Sequence, residues 1–508
     1  MKAVVVGGGS AGWMSAATLI GLFPNFDVTV IESPNVPITG VGESTITGFT
    51  EWLGLLGINP DEVIRYTNGS YKLSIHFQNF YKTQDEGFFY PFGNQIINKE
   101  TMETWQIRKI VEPEECATFA DTMCANMALV RKNKFIKFTK EFPADHYALH
   151  FDAVLFAHWL RERYCLPKGV KHIPSEVVSV STCDDGINFL KLENGQEVSA
   201  DLFFDCTGFK SLLLEQTLKE PFISYSDILP NNKAWSCQVP YTNKEQELVG
   251  YTNCTGLGNG WVWNIPLWSR IGTGYVYSDA FVSDEEALIE FKSYLKNKLN
   301  KNPDDIQFKN IPIKTGVHER LWVKNVCAVG LAAGFIEPLE SSGLWLVYNT
   351  MINVCRILSR GSFSQFDIDI FNGQTRFEFE QWCSFVALHY ALSTRRDTEY
   401  WRNISKTSFK TDIVQRLHES SSGFASAGRD KIDRGYFSSL ALSCVAFGMN
   451  WLPYDRIRHS MFTFKIGNKF PIEWKRDFER LDKQRKAWEI CASYAPSLYE
   501  YLSKINSQ

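Results

Sequence analysis

The chain has 508 residues, 44% hydrophobic and 22% charged, enough for a large core and two adjacent or interleaved domains. A formal net charge of -4 and a pI near 6.2 leave no basic field, which argues against nucleic acid as a partner and for a small ligand. The 12 cysteines form no CxxC pair, no histidine pair has zinc-protease spacing, and no apolar run approaches the roughly 20 residues of a membrane helix; buried free thiols, no metal, no membrane association and a cytoplasmic setting are expected.

Lys2 to Val6 reads as a buried parallel strand running into Gly7-Gly-Gly9-Ser10-Ala11-Gly12 and a helical stretch from Trp13 to Leu22. Glycines there permit a tight turn and close approach of a pyrophosphate to the helix N-terminus. A second strand, Asp27 to Ile31, ends in Glu32, twenty residues after Gly12, where an acid can bind a ribose hydroxyl. This is a dinucleotide site in its proper setting.

Ile38 to Thr45 is a glycine-punctuated loop containing Gly40, Val41 and Gly42, with Ser44 or Thr45 as cap candidates for the helix that follows. Asn59-Pro-Asp-Glu marks another helix start, and Tyr71 to Gln78 alternates as one half-buried strand carrying Lys72. On these residues alone Lys72 is an ordinary solvated lysine. A helix begins behind Asp152, hairpin signals stand at Asp185-Gly186 and Asn194-Gly195, and Ala200 to Gly208 reads as a strand rejoining the first sheet. Ala234 to Tyr277 turns repeatedly, as in an antiparallel layer. Within it, Gly260-Trp-Val-Trp-Asn-Ile-Pro266 puts Trp261 and Trp263 on one face as two stacked indoles, and Pro266 ends the run.

A charged surface helix over Asp284 to Asn300 and a buried strand over Val326 to Gly330 lead to Gly334-Phe-Ile-Glu-Pro-Leu-Glu-Ser-Ser-Gly343. Pro338 suits the first turn of a helix, and Ser341, Ser342 and Gly343 leave amides uncovered for an anion or an electron-rich ring. Taken alone, the favoured reading of this stretch is an ordinary proline-started helix. Phe366 to Tyr390, Asp412 to Glu419 and Trp474 to Ser503 read as further helices, with a loop over Ser420 to Gly428.

Together these motifs resemble one family, the flavin-dependent halogenases of the tryptophan-halogenase type. The resemblance is carried by Gly260 to Pro266, by Tyr71-Lys72 with Phe77-Gln-Asn79, by Phe335 to Gly343, by Gly40-Val-Gly-Glu43, and by His150 to Ala153, Asp205 to Gly208 and Leu388-His-Tyr390. It implies an α/β fold: a glutathione-reductase-like, Rossmann-type FAD-binding sheet with an interleaved antiparallel substrate layer over 1–360, and a helical, substrate-covering region over 361–508. It also implies FADH2 from a separate flavin reductase, O2 and a halide as reactants, and hypohalous acid that travels through a tunnel to a small aromatic substrate.

By the same resemblance Lys72 holds the halogenating species and Glu340 is the catalytic acid, while the amides of Ser342 and Gly343 take the halide. Trp261, Trp263 and Pro266 wall the tunnel. Gly7, Gly9, Ser10, Ala11, Gly12, Glu32, Gly40, Val41, Gly42, Gly208, Gly330, Leu331 and Pro338 hold FAD, and Tyr90 and Phe92 line the substrate pocket. Glu340 favours a freestanding substrate, because relatives acting on phenols or carrier-tethered pyrroles tend to replace that acid with an aromatic. Tyr436-Phe437, Phe447 to Trp451 and Tyr90 depart from a dedicated tryptophan enzyme, so the expected substrate is an indole or other electron-rich arene. A flavin-dependent aromatic monooxygenase, an inactive FAD-binding protein and a homo-oligomeric assembly stay open.

Overall fold

The computed structural model describes residues 1–35, 42–93, 99–137, 139, 142, 146–419, 439–452 and 472–507. Gly40, Val41, the Ser420 to Gly428 loop and Tyr436-Phe437 lie outside these described residues. A six-stranded sheet runs Trp322–Val323, Val326–Ala328, Leu202–Asp205, Lys2–Val6, Asp27–Glu32, Lys171–Pro174. Its strands are parallel except for the antiparallel Trp322–Val323 edge. The β-branched run Val4 to Val6 is buried, as a parallel strand covered on both faces requires. The chain does rejoin this sheet after the central hairpins, with Asp205 opposite Val6.

A seven-stranded sheet forms the second layer, in the order Lys309–Pro312, Lys233–Val239, Ile271–Tyr277, Gly260–Pro266, Tyr251–Gly256, Ser74–Gln78, Phe88–Pro91. Only the Tyr251–Gly256 and Ser74–Gln78 pair is parallel. The largest apolar cluster runs from Ala3 to Ile505 and includes Trp261 and Trp263, while Val262 faces the opposite cluster beneath the Asp284–Lys298 helix. Period-two alternation thus sorts one strand between two cores. The C-terminal helices share the main core, so regions 1–360 and 361–508 are packed as one body of side chains.

Several local expectations are corrected. Tyr71 to Gln78 is not one half-buried strand: Ser70–Lys72 pairs with Ala148–Phe151, the chain changes sheet at Leu73, and Ser74–Gln78 joins the large sheet. Leu73 donates its N–H to Gly250 and accepts from Phe92, so the break is hydrogen-bonded and Lys72 lies at a corner between sheets. Pro338 opens only a single 3-10 turn, Pro338–Glu340; Ser341 is left-handed at φ 58°, and the long helix starts at Gly343. Ser44 and Thr45 do not cap the next helix, because Ser44 pairs with His150 and the Thr45 hydroxyl donates to the Leu149 carbonyl.

The helix expected over Trp474 to Ser503 is two, Ile472–Ser493 and Leu498–Asn506, separated where Pro496 can supply no backbone donor. All 12 cysteines are free, but Cys183 is exposed and Cys116 and Cys491 are half-buried rather than buried. No helix among the described residues is long and apolar enough to cross a membrane. No group of three or more potential ligands among them could hold a metal.

Candidate active site

The glycine loop has the shape a dinucleotide needs. A side chain at Gly7 would stand 2.2 Å from the Cys206 carbonyl and one at Gly12 1.8 Å from the Gly7 carbonyl, so neither position admits a Cβ, whereas the space over Gly9 is open. The Ser10–Leu22 helix has no side-chain cap and no acid in its first turn. Its first amides precede the Trp13 to Gly9 hydrogen bond, and Ser10, Ala11 and Gly12 therefore present uncovered N–H groups to an anion. Glu32 lies across this loop, with its Oε2 2.9 Å from His172 Nε2 and 3.4 Å from Arg161 Nη1. These residues fit the pyrophosphate and a ribose of FAD.

Gly42, Gly208 and Gly330 have φ of +117°, +68° and +70°, and a Cβ on Gly330 would meet Ala11 at 2.7 Å. Leu331 beside it is exposed, and Pro338 stands at the turn before Glu340. The Gly343–Leu358 helix packs on the Ser10–Leu22 helix, which brings the 334–343 segment beside the glycine loop.

Lys72 is completely buried, not solvated. Its Nζ donates to the Thr45 carbonyl at 2.9 Å and to Ser341 Oγ at 3.0 Å, and stands 5.1 Å from the centre of the Phe92 ring. Burial drives its pKa from 10.5 down to about 7, a fall opposed by the Cys254 thiol and the Glu340 carboxylate. A lysine at about 7 is divided between ammonium and amine near neutral pH, as a group that alternates between donor and nucleophile requires.

Glu340 is also buried, with Oε1 2.8 Å from His389 Nε2. His389 Nδ1 is 3.1 Å from the Phe385 carbonyl, which can only accept, so Nδ1 carries a proton. The contact with Glu340 is therefore a hydrogen bond only when a further proton sits between carboxylate and imidazole. Phe77, Phe80, Phe88 and Phe385 surround the His389 ring. Tyr90 packs on Phe92 and Phe385, and its phenol is held well above its ordinary pKa by burial and then by the Glu340 charge. Lys72, Glu340, Tyr90 and Phe92 thus converge.

Trp261 and Trp263 share a face, but their rings are 6.2 Å apart and tilted by 60°, not stacked. Trp263 lies over Gly274 of the next strand, where even a Cβ would come within 2.3 Å of the indole. Trp261 donates from Nε1 to buried Glu337 Oε2 at 3.1 Å, and Asn231 donates to the same oxygen at 2.6 Å. Burial raises the Glu337 pKa, and these two donors work against the rise. Pro266, at the end of the strand, accepts from Ser70 Oγ through its carbonyl.

Past Glu340, Leu346 closes the first full turn on the Ser342 carbonyl, so the Ser342 and Gly343 amides precede the helical ladder. Ser342 Oγ is buried without a hydrogen-bond partner among the described residues, and the space over Gly343 is open. Sequence reading assigned no role to the His389 or Glu337 side chains, and took Ser44 only as a cap candidate and Ser341 only for its amide. His389 and Glu337 both stand in motifs that carried the family resemblance, Leu388-His-Tyr390 and Phe335 to Gly343, and His389 directly follows the apolar run Phe385-Val-Ala-Leu388.

With a glycine loop on a parallel sheet and an antiparallel layer beside it, the chain is, by its relatives, a flavin-dependent halogenating enzyme, an oxidoreductase. The tryptophan halogenase family model matches residues 2–465, and the chain belongs to that family. Tryptophan 7-halogenase RebH of Lentzea aerocolonigenes is 31% identical over 99% of this chain and 98% of its own. Among solved structures, VirX1 superposes with TM-score 0.88 at 33% identity, covering 99% of this chain and 98% of that one. BrvH, a flavin-dependent halogenase from Brevundimonas sp. BAL3, superposes with TM-score 0.84 at 27% identity, covering 99% of each chain.

Proposed function

We propose that this protein uses FADH2, O2 and a halide to halogenate a freestanding, electron-rich, indole-like arene, with Lys72 delivering the halogen and Glu340 taking the ring proton. The observation that carries the reading is a fully buried lysine with its pKa near 7, beside a buried glutamate and an aromatic pocket. Gly7, Gly9, Ser10, Ala11 and Gly12 would hold the pyrophosphate and Glu32 the ribose; Gly40, Val41, Gly42, Gly208, Gly330, Leu331 and Pro338 are the other residues assigned to FAD. When bound, reduced FAD would supply two of the four electrons that O2 takes up and the halide the other two, so that hypohalous acid and water form.

The Ser342 and Gly343 amides hold the halide, the role their place ahead of the helical ladder suits. Trp261 and Trp263, the first braced by Glu337, separate the flavin side from the arene, with Pro266 closing the wall. Lys72 keeps the halogenating species beside the substrate instead of letting it diffuse to other side chains. Glu340 accepts the proton released as the ring regains aromaticity, and Tyr90 and Phe92 line the pocket. Residues 1–360 form the flavin and substrate layers, and 361–508 cover the substrate.

The test is halide dependence: enzyme loaded with reduced FAD, mixed with O2 and indole or tryptophan, yields halogenated product only when chloride or bromide is present. Hydroxylated product without halide identifies an aromatic monooxygenase instead, and no product with any electron-rich arene identifies an inactive flavoprotein.

Two further outcomes follow from the same reading. With one strand–glycine–helix site, the protein receives FADH2 from a flavin reductase; NADH or NADPH added to the FAD-loaded protein alone leaves the flavin spectrum oxidised, and rapid bleaching refutes this. Trp263→Phe shrinks the wall over Gly274 and lowers halogenated product per flavin oxidised. Unchanged coupling assigns Trp263 to core packing alone.

A further inference from the structure

One continuous hydrogen-bonded chain leaves Lys72 through Ser341. Lys72 Nζ donates to Ser341 Oγ at 3.0 Å, and Ser341 Oγ donates to Ser44 Oγ at 3.0 Å. Ser44 Oγ is 2.7 Å from Thr252 Oγ1, which is 2.8 Å from His150 Nε2. His150 Nδ1 is 3.2 Å from Ser70 Oγ, and Ser70 donates to the Pro266 carbonyl at 2.5 Å. Lys72, Ser341, Thr252, His150 and Ser70 are all buried, and Ser44 is half-buried.

The terminal carbonyl determines every proton in this chain. A carbonyl only accepts, so Ser70 spends its one O–H on Pro266 and must accept from His150 Nδ1–H. In the neutral ring Nε2 is then bare and accepts from the Thr252 hydroxyl. Thr252 in turn accepts from Ser44, Ser44 from Ser341 and Ser341 from Lys72. All the hydrogens point from the lysine towards the histidine.

We propose that His150 is the internal proton acceptor for Lys72, a positioning residue that acts through the hydroxyls of Ser341, Ser44 and Thr252. In the transfer one N–H bond of the Lys72 ammonium breaks, each hydroxyl passes its own proton onward, and one N–H bond forms at His150 Nε2. The electron pair stays on Nζ, and the protein gains or loses no proton. Running the chain backwards returns the proton when Lys72 must again be an ammonium. Burial and then the Lys72 charge hold His150 well below its ordinary pKa, so it is unprotonated before the step. Moving the proton removes that lysine charge and makes His150 a better acceptor. The inference rests on the halogen-delivering role of Lys72 proposed above.

Thr252→Val replaces the hydroxyl by a methyl of similar shape and cuts the chain; Thr252→Ser keeps it whole. In single-turnover mixing of reduced, FAD-loaded enzyme with O2, bromide and indole, the valine variant is expected to form product about 10²-fold more slowly, the scale of a lost positioned proton transfer, and serine to restore it. Wild-type product formation in Thr252→Val overturns the relay, as does failure of serine to restore a slow variant. If Lys72→Met in the same assay still makes product at the wild-type rate, the lysine reading itself falls; if only Lys72→Met is inactive, that reading stands without the relay.

A readout independent of turnover uses the flavin-free wild-type protein labelled with 15N-histidine, with His150 assigned by the signal lost in His150→Gln. Near neutral pH, Nδ1 is expected to be protonated and Nε2 bare. A proton on Nε2 in this resting protein overturns the relay whether or not the Thr252 variants fold.

Discussion

Lys72→Met abolishes halogenation of the organic substrate, lowering product formation by at least about 10³-fold, while the reduced flavin is still oxidised by O2. The loss is large because holding a reactive species against its target replaces a bimolecular encounter by an intramolecular one. The flavin reaction survives because Lys72 lies on the Ser70–Lys72 strand of the small three-stranded sheet and is not among the residues assigned to FAD. Stopped-flow absorbance of the flavin and quenched-flow product analysis, run on the same mixture, separate the two steps. Product at the wild-type rate with Lys72 gone would falsify lysine delivery and leave released hypohalous acid as the halogenating agent.

The same substitution has a signature in folding. Burial places the Lys72 pKa at about 7 against 10.5 for an ordinary lysine, so between these values the unfolded chain binds more protons than the folded one. Stability from this group therefore rises with pH across that window, and below about 7 the penalty of burying the charge is fully present. Relative to Lys72→Met, the wild type should gain about 2 kcal/mol between roughly pH 7 and 9, read from denaturant titrations at the two values. A pH-independent difference would mean that Lys72 keeps an ordinary pKa. In the wild type, halogen transfer should climb with the same rise through about pH 7 as the amine fraction grows.

Glu340→Gln preserves size and burial but removes the base, and should slow product formation by about 10²–10⁴-fold, the range for one positioned proton acceptor. The amide cannot take up the ring proton, while its place 2.8 Å from His389 Nε2 is kept. Rapid-quench product analysis beside flavin absorbance reads the effect. Halogenation at wild-type speed would reduce Glu340 to a buried acid paired with a histidine. A fall in the flavin rate as well would place it in the earlier oxidation step.

The sequence by itself determined the strand, glycine loop and helix of the dinucleotide site, the return of Leu202–Asp205 to the first sheet and the shared face of Trp261 and Trp263. Each depends on period, turn chemistry or backbone freedom within a few neighbouring residues. Local patterning misjudged Tyr71 to Gln78 for the same reason: alternation describes one strand, but not a strand that changes sheet at Leu73. It misjudged Pro338 because a 3-10 turn and a left-handed serine look like a helix start when only residue types are read.

Only the tertiary structure decided what Lys72 is. Nothing within its own strand distinguishes it from a solvated lysine, and its pKa comes from burial and from Cys254 and Glu340, which arrive on other segments. Ser341, which takes one of its protons, is 269 residues away in the chain. The contact between Glu340 and His389 and the direction of the hydroxyl chain to His150 have the same origin. A hydrogen bond's direction is set by the acceptor at its far end, and here those ends are the carbonyls of Phe385 and Pro266, placed by folding.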